Sequence, residues 1–376
     1  MPCLLRLKLK LEVREMAITA SMVKELREMT GAGMMDCKKA LTETDGDMEA
    51  AVDVLRKSGA AKMEKKQSRI AAEGITCVAT NGNTAVVVEV NSETDFVAKN
   101  ETFQEFVQTV ADNALASGLN GGVDGEDVET LLGMNGLNDL LVEKTATIGE
   151  KLSVRRFIKV TGDIIASYIH AGGKIGVLIA GTGAEGAAAK EALSNIAMQV
   201  AAMNPQYISR ADISADELAK MKEIVIDSAL NDPASLPKPI LNALIQTAIN
   251  DKLWSEEDIA IYEEKKSNMN YLFNFLSKEA AATLAELALK NKETYLSVKI
   301  FNGLVEGRIS KQVKEVSLLD QVYVKAEDGK QTVAKYLESV SKDIKITTMI
   351  RFEVGEGMEK KQEDFAAEVA KQMAGN

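Results

Sequence analysis

The chain carries one histidine, His170, and three cysteines, Cys3, Cys37 and Cys77. A Ser–His or Cys–His nucleophile would have to use that one imidazole, and a metal site built from several histidines is excluded. His170 lies in the turn His170-Ala171-Gly172-Gly173, with no cysteine near it in sequence. It reads as an exposed turn residue or as a contact at the tip of a hairpin, since loops held on a rigid sheet often carry binding function. The cysteines are far apart and in no metal-ligand spacing, which suits a reducing compartment and argues against structural zinc. Gly181-Thr182-Gly183-Ala184-Glu185-Gly186 has the G-x-G-x-x-G spacing that brings backbone N–H groups and a helix N-terminus to a pyrophosphate. Yet its preceding strand reads as antiparallel, and the following helix ends at Asn204-Pro205 with no parallel strand or ribose-binding acid beyond. A surface turn is therefore the expectation. Carboxylates are abundant but lie on polar helix faces, and no phosphate loop of the GxxxxGK[ST] type occurs. These residues favour a binding protein that needs no cofactor over an enzyme.

The stretch from Asn91 to Phe103 is the sharpest binding candidate. An apolar strand, Thr84 to Val90, runs into a helix whose start is marked by Ser92 with Asp95 three residues on, an acidic variant of the capping box. Asp95 stands four residues before Lys99, the favourable order for a helical ion pair. At 100° per residue Phe96 shares a stripe with Phe103, Val107 and Val110, which reads as core. A ring in the first turn can alternatively be left outside for a partner to bury.

Stepwise, the elements around these residues are legible. Residues 16–60 read as three short helices, striped by Val23, Leu26 and Met29, by Met34, Cys37, Ala40 and Leu41, and by Ala51, Val52 and Leu55. A basic stretch follows, Arg56, Lys57, Lys62, Lys65, Lys66 and Arg69, either a solvated linker helix or a contact for an acidic face. Then one pattern occurs twice. Strand Ile75 to Thr80, turn Asn81-Gly82, strand Thr84 to Val90 and a helix from Asp95 to about Ala116 form the first copy. Strand Ile164 to Ile169, the His170 turn, strand Lys174 to Ala180 and a helix from about Ala187 to Met203 form the second. Two related α+β halves with antiparallel sheets follow from this repetition. Ser117 to Asn138, rich in glycine and acid, reads as an exposed loop.

Beyond Pro205 the chain turns helical for about a hundred residues. Ser214 with Glu217 forms a capping box, and Pro233, Pro237 and Pro239 interrupt the segment. Further helices are expected over Ala243 to Asp251, Glu256 to Lys266, Glu279 to Leu289 and Ser297 to Lys311. Strands at Gln321 to Lys325 and Lys345 to Phe352 flank a helix over Val333 to Ser341, and a polar helix spans Asp364 to Met373. The expected division is a leader (1–15), a three-helix module with its basic linker (16–70) and the first core half (71–163). The second core half (164–205 with 312–353), a helical insertion (206–311) and a C-terminal module (354–376) complete it. At 376 residues, 46% apolar and 27% charged, the composition is that of a folded globular protein. A net charge of −11 argues against nucleic acid as the main partner, and no apolar run approaches the roughly 18 residues of a membrane span.

Three motifs, in order, carry a family resemblance: Thr30-Gly31-Ala32-Gly33-Met34-Met35-Asp36-Cys37-Lys38-Lys39-Ala40-Leu41, Thr94-Asp95-Phe96-Val97-Ala98-Lys99, and Arg351-Phe352-Glu353-Val354-Gly355-Glu356-Gly357. Together they resemble translation elongation factor Ts of the bacterial type. The resemblance implies a cytoplasmic guanine-nucleotide exchange factor that binds GDP-bound elongation factor Tu and promotes GDP release. It implies a UBA-like N-terminal module that docks on the GTPase through Lys24, Arg27, Met34, Met35 and Lys38. Asp95 and Phe96, within Thr94 to Lys99 with Val97, match the family's intruding pair. Ile148-Gly149-Glu150 and His170 match further partner contacts. The helical region, with Trp254, Tyr271, Phe273 and Phe275, is longer than the family's helical hairpin. Its aromatics read as an extra interface or as packing for an enlarged subdomain, and homodimerisation stays open. An adaptor that binds the GTPase through its N-terminal module without exchanging nucleotide is the alternative.

Overall fold

The computed structural model describes residues 18–183 and 186–359. The expected leader, two residues of the glycine-rich turn and the helix expected over 364–373 lie outside them. Contacts divide the chain into two compact units, Asn204–Ser339 and the chain on either side of it.

Three helices open the described chain: α1 (Ala20–Thr30), α2 (Met34–Glu43) and α3 (Met48–Glu64). Thr19 caps α1 by accepting from the Met22 amide at 3.2 Å, and Asp47 caps α3 by accepting from Ala50 at 3.1 Å. Their inward stripes, Val23, Leu26, Cys37, Ala40, Leu41 and Ala51, form a small core of their own.

The first core half follows as β1 (Glu73–Asn81), β2 (Thr84–Ser92), α4 (Asp95–Ala98), α5 (Glu101–Ala116), β3 (Gly121–Gly122), α6 (Val128–Leu132), α7 (Leu137–Ile148) and β4 (Ser153–Thr161). Its sheet is antiparallel in the order β1-β2-β4-β3. Pairing of Asn81 with Thr84 moves the hairpin loop one residue on from the expected turn, to Gly82-Asn83. The single helix expected from Asp95 to Ala116 is two, because Asn100 caps a new start by accepting from the Phe103 amide at 3.2 Å. The segment read as an exposed loop contains α6, whose Leu131 is fully buried in the core with Val128. Neither α7 nor β4 was foreseen. The second half continues with β5 (Ile164–His170), β6 (Ile175–Thr182) and α8 (Ala187–Met203).

Asn204–Ser339 is largely helical: α9 (Ala215–Asn231), α10 (Lys238–Asn250), α11 (Glu256–Lys265), α12 (Lys278–Lys290), α13 (Lys292–Leu296), α14 (Lys299–Val316), then most of α15 (Val333–Val340). The unit therefore extends past the 206–311 read for the insertion. The Ser214–Glu217 capping box forms as expected. Trp254 and Tyr262 are buried among Leu244, Leu284 and Phe301, whereas Tyr271 and Phe275 are exposed. Residues 321–325 do not form the expected strand. Val322 makes an isolated bridge to Thr332, and the Asp328 carboxylate closes the intervening turn on the amides of Lys330 and Gln331.

The chain then returns to the first unit as β7 (Lys345–Glu353), completing a second antiparallel sheet in the order β5-β6-β7. The two sheets face each other through Ala85, Val87, Val160, Leu178, Ala180 and Phe352. Val86, Val88 and Val90 point the other way, onto Phe103, Phe106 and Val107 of α5. Strand β2 is thus covered on both faces, which is why Ala85 to Val88 run continuously apolar rather than alternating. The antiparallel, mixed α+β architecture read from the two hairpins is present in both sheets.

Candidate functional site

Strand β2 delivers the chain to the Thr94–Lys99 turn. Thr94, rather than Ser92, is the cap: its Oγ1 accepts from the Val97 amide at 3.4 Å, while buried Ser92 donates its hydroxyl to the Thr94 carbonyl at 3.0 Å. Because α4 lasts only four residues, the phase that would align Phe96 with the α5 stripe is lost at Lys99-Asn100. Ala98 is buried and Val97 packs against the core, but Phe96 is 80% exposed while Phe103, Val107 and Val110 are fully buried. The core reading of Phe96 is therefore overturned. Above its ring stands the Lys99 ammonium, 6.0 Å from the centroid and 2.8 Å from the Asp95 carboxylate. The hydrogen bond from Lys99 holds the Asp95 carboxyl below its ordinary value.

A second segment grips this turn from behind. Helix α7 ends at Gly149, whose φ of 86° is a left-handed conformation, and the next residue folds back onto β2. Glu150 Oε2 accepts from the amides of Glu93 and Thr94 at 3.1 and 3.0 Å, and its Oε1 accepts from the Thr94 hydroxyl at 2.7 Å. Glu93 returns the arrangement: its Oε1 accepts from the Lys151 amide at 2.5 Å and from Arg69 at 3.2 Å. Lys151 in turn donates to the carbonyls of Gln67 and Arg69. Burial pushes the nearby Lys66 ammonium below its ordinary value, and Arg69 adds to the effect.

The same end of α7 meets the N-terminal helices. Thr147 Oγ1 donates to the Gly31 carbonyl at 3.5 Å, just ahead of Met34 and Met35. Gly59 of α3 packs so closely on α7 that a Cβ there would stand 3.1 Å from Val142. Lys24, Arg27, Met34, Met35 and Lys38 are all exposed, the two methionines at 60% and 75%. Of the basic stretch, Lys62 pairs with Asp36, Lys66 reaches the Thr145 carbonyl and Arg69 pairs with Glu93, so half of it serves as internal ties. Ile148 is half-buried against the first core, and Gly149 is exposed beside the turn.

His170 is exposed at the hairpin tip, its Nδ1 3.1 Å from the Tyr168 hydroxyl. The hairpin is anchored where Thr76 donates to the Gly173 carbonyl at 2.8 Å and Lys174 pairs with Glu73. Glu73 is the residue opposite Ser92, so the His170 turn lies at the same end of the sheets as the Phe96 turn. The glycine-rich turn has a backbone reason for Gly183: at φ 88°, a Cβ there would stand 1.7 Å from the Asp343 carbonyl oxygen. Among the described residues no cluster of three or more His, Cys, Asp or Glu could hold a metal ion, and no helix is long and apolar enough to cross a membrane.

The Arg351–Gly357 motif is structural. Glu89 of β2, fully buried, accepts from Arg156 at 2.6 Å, from Arg155 at 2.9 Å and from the Gly355 amide at 2.9 Å. Arg156 lies 4.2 Å above the Phe352 ring, and Gly355 leaves no room for a Cβ, which would be 2.2 Å from the Ala72 carbonyl. Sequence reading missed the Glu89, Glu93 and Glu150 ties, because no local pattern marks a carboxylate whose partners are far along the chain.

The first unit thus has the form of an α+β protein that displays an exposed aromatic side chain on an internally tied turn. Residues 93–266 and 273–356 match the model of the family described as Elongation factor TS. The chain is also 43% identical over 367 residues to the elongation factor Ts of Clostridioides difficile (strain 630), covering 95% of this chain and 99% of that one. It belongs to the elongation factor Ts family.

Proposed function

We propose that the protein is a guanine-nucleotide exchange factor: it binds elongation factor Tu carrying GDP, in the cytoplasm, and speeds GDP release without chemistry of its own. The observation that carries this reading is Phe96, an exposed ring on a turn whose backbone is held from behind. Asp95 and Phe96 enter the GTPase near its magnesium and phosphate site. The N-terminal helices act as a UBA-like module, docking through Lys24, Arg27, Met34, Met35 and Lys38, while Gly149 and the His170 hairpin add further holds. Exchange then follows from linkage. Whatever factor this protein takes from GDP affinity, GDP takes from this protein's affinity. Each tenfold loss needs about 1.4 kcal/mol of differential contact, so several separated contacts have to act together.

Stopped-flow release of a fluorescent GDP from elongation factor Tu tests the reading. Release accelerates with added protein and saturates; a rate unchanged at saturating protein overturns it. The exposure of Met34 and Met35 gives the adaptor reading its own support. An adaptor captures the GTPase and leaves its nucleotide off-rate alone, so the same assay with a pull-down separates the two.

A further inference from the structure

We infer that Glu150 is a positioning residue: its carboxylate sets the direction in which Asp95 and Phe96 leave the fold, and it acts on the partner through them. This inference rests on the exchange-factor reading for its functional half and on hydrogen bonds within this chain for its structural half.

Helix α4 has only four residues, too few to hold itself, since a short helix owes its form to what its ends are tied to. Inward, Ala98 and Val97 anchor one side. On the entry side the Glu93 and Thr94 amides and the Thr94 hydroxyl converge on Glu150. Three donors occupy most of what a carboxylate can accept, so little of this group remains for a partner. Bonds to an ionised acceptor are about twice as strong as neutral ones, which suits a tie that has to resist displacement when the ring is pressed into a partner.

The tie is reciprocal. Glu93 accepts from the Lys151 amide, so each glutamate holds the backbone that carries the other. Lys66 and Arg69 are the cations that face this pair. Gly149 turns the chain so that Glu150 points back at β2. The segment after α7 therefore works as a splint for the Phe96 turn.

Full-length Glu150→Ala, Glu150→Gln, Phe96→Ala and the Glu150→Ala/Phe96→Ala double variant test this. In the free protein, hydrogen exchange of the Glu93 and Thr94 amides speeds up by about tenfold in Glu150→Ala, the loss of one charge-assisted bond. Amides of β2 such as Val88 keep wild-type rates. Glu150→Gln, which retains an oxygen acceptor, restores most of the protection. With the fluorescent GDP complex, Glu150→Ala lowers the saturating release rate, Glu150→Gln recovers it, and the loss in the double variant is smaller than the sum of the two single losses, since only Asp95 remains to be misdirected. Unchanged amide exchange in Glu150→Ala overturns the splint. Faster amide exchange with wild-type release, or losses that add in the double variant, overturns the positioning role. A wild-type protein that fails to release GDP would instead refute the exchange-factor reading, leaving the amide measurement to judge the splint alone.

Discussion

Replacing Phe96 by alanine removes a ring that is 80% exposed and lies 6.0 Å from the Lys99 ammonium. A cation–π contact at such a site contributes about 0.5–1 kcal/mol, so the folded state loses at most that amount. If a partner completes the burial of the ring, the full transfer of a phenylalanine side chain from water, about 1.5–3 kcal/mol, is lost from the complex that releases nucleotide. At about 1.4 kcal/mol per tenfold, GDP release at limiting protein should slow by about 10- to 150-fold. Phe103→Ala is the matched control, because Phe103 is fully buried seven residues further on and its truncation should cost about 3–5 kcal/mol of stability. The assay pairs stopped-flow release of fluorescent GDP with thermal unfolding of each variant. The reasoning fails if Phe96→Ala lowers the melting temperature as much as Phe103→Ala does, or if it leaves release untouched.

Three further outcomes concern stability. Glu89→Ala leaves Arg155 and Arg156 facing a buried position without their carboxylate and should destabilise the protein by about 3–5 kcal/mol. Calorimetry showing wild-type stability would contradict that. In the helical unit, Asp258 accepts from the Ser277 amide at 2.9 Å and from the hydroxyls of Ser255 and Ser277, tying together the caps of α11 and α12. Asp258→Ala should lower the stability of this unit by about 1–3 kcal/mol, read by the single tryptophan, Trp254, buried in the same core. Burial pushes the Asp258 carboxyl up, but the bonds from Ser255 and Ser277 outweigh it and hold the folded value below the ordinary one. A depressed folded value means that the contribution is complete above the unfolded value, about 3.9, and is lost as pH falls through the folded value. Tryptophan-monitored stability should therefore drop more steeply below about pH 4 in wild type than in Asp258→Asn. Equal slopes would refute the assignment.

Much of the fold was legible because its signals are local. Both hairpins, the helices that follow them, the three N-terminal helices and the Ser214 cap follow from side-chain period, turn chemistry and capping residues within a few positions. The Phe96 region shows the limit. Thr94 to Lys99 was recognisable as a motif whose resemblance puts Phe96 toward a partner, yet a uniform 100° phase carried through Lys99, taken alone, favours the core. Asn100 ahead of Glu101 and Phe103 was a cap signal within reach and would have broken that phase correctly. Strand β4 was harder to see, because it carries the adjacent charges Arg155 and Arg156, the latter buried, which have a purpose only once Glu89 is known to lie opposite.

Sequence alone determined the family, the antiparallel α+β plan and the short list of candidate partner-contacting residues. Those properties depend on residue type and on spacing over a few positions, where backbone sterics act. Only the tertiary structure decided that Phe96 points out, that the ends of β2 and α7 are tied together, and that the closing Arg351–Gly357 motif serves a buried carboxylate. These depend on hydrogen bonds such as Thr94 to Glu150, 56 residues apart, and Gly355 to Glu89, 266 apart. Where packing has removed a carboxylate from water, as at Glu89, such partners are required, because an unpaired charge at that depth is costly. No pattern read along the chain contains that information.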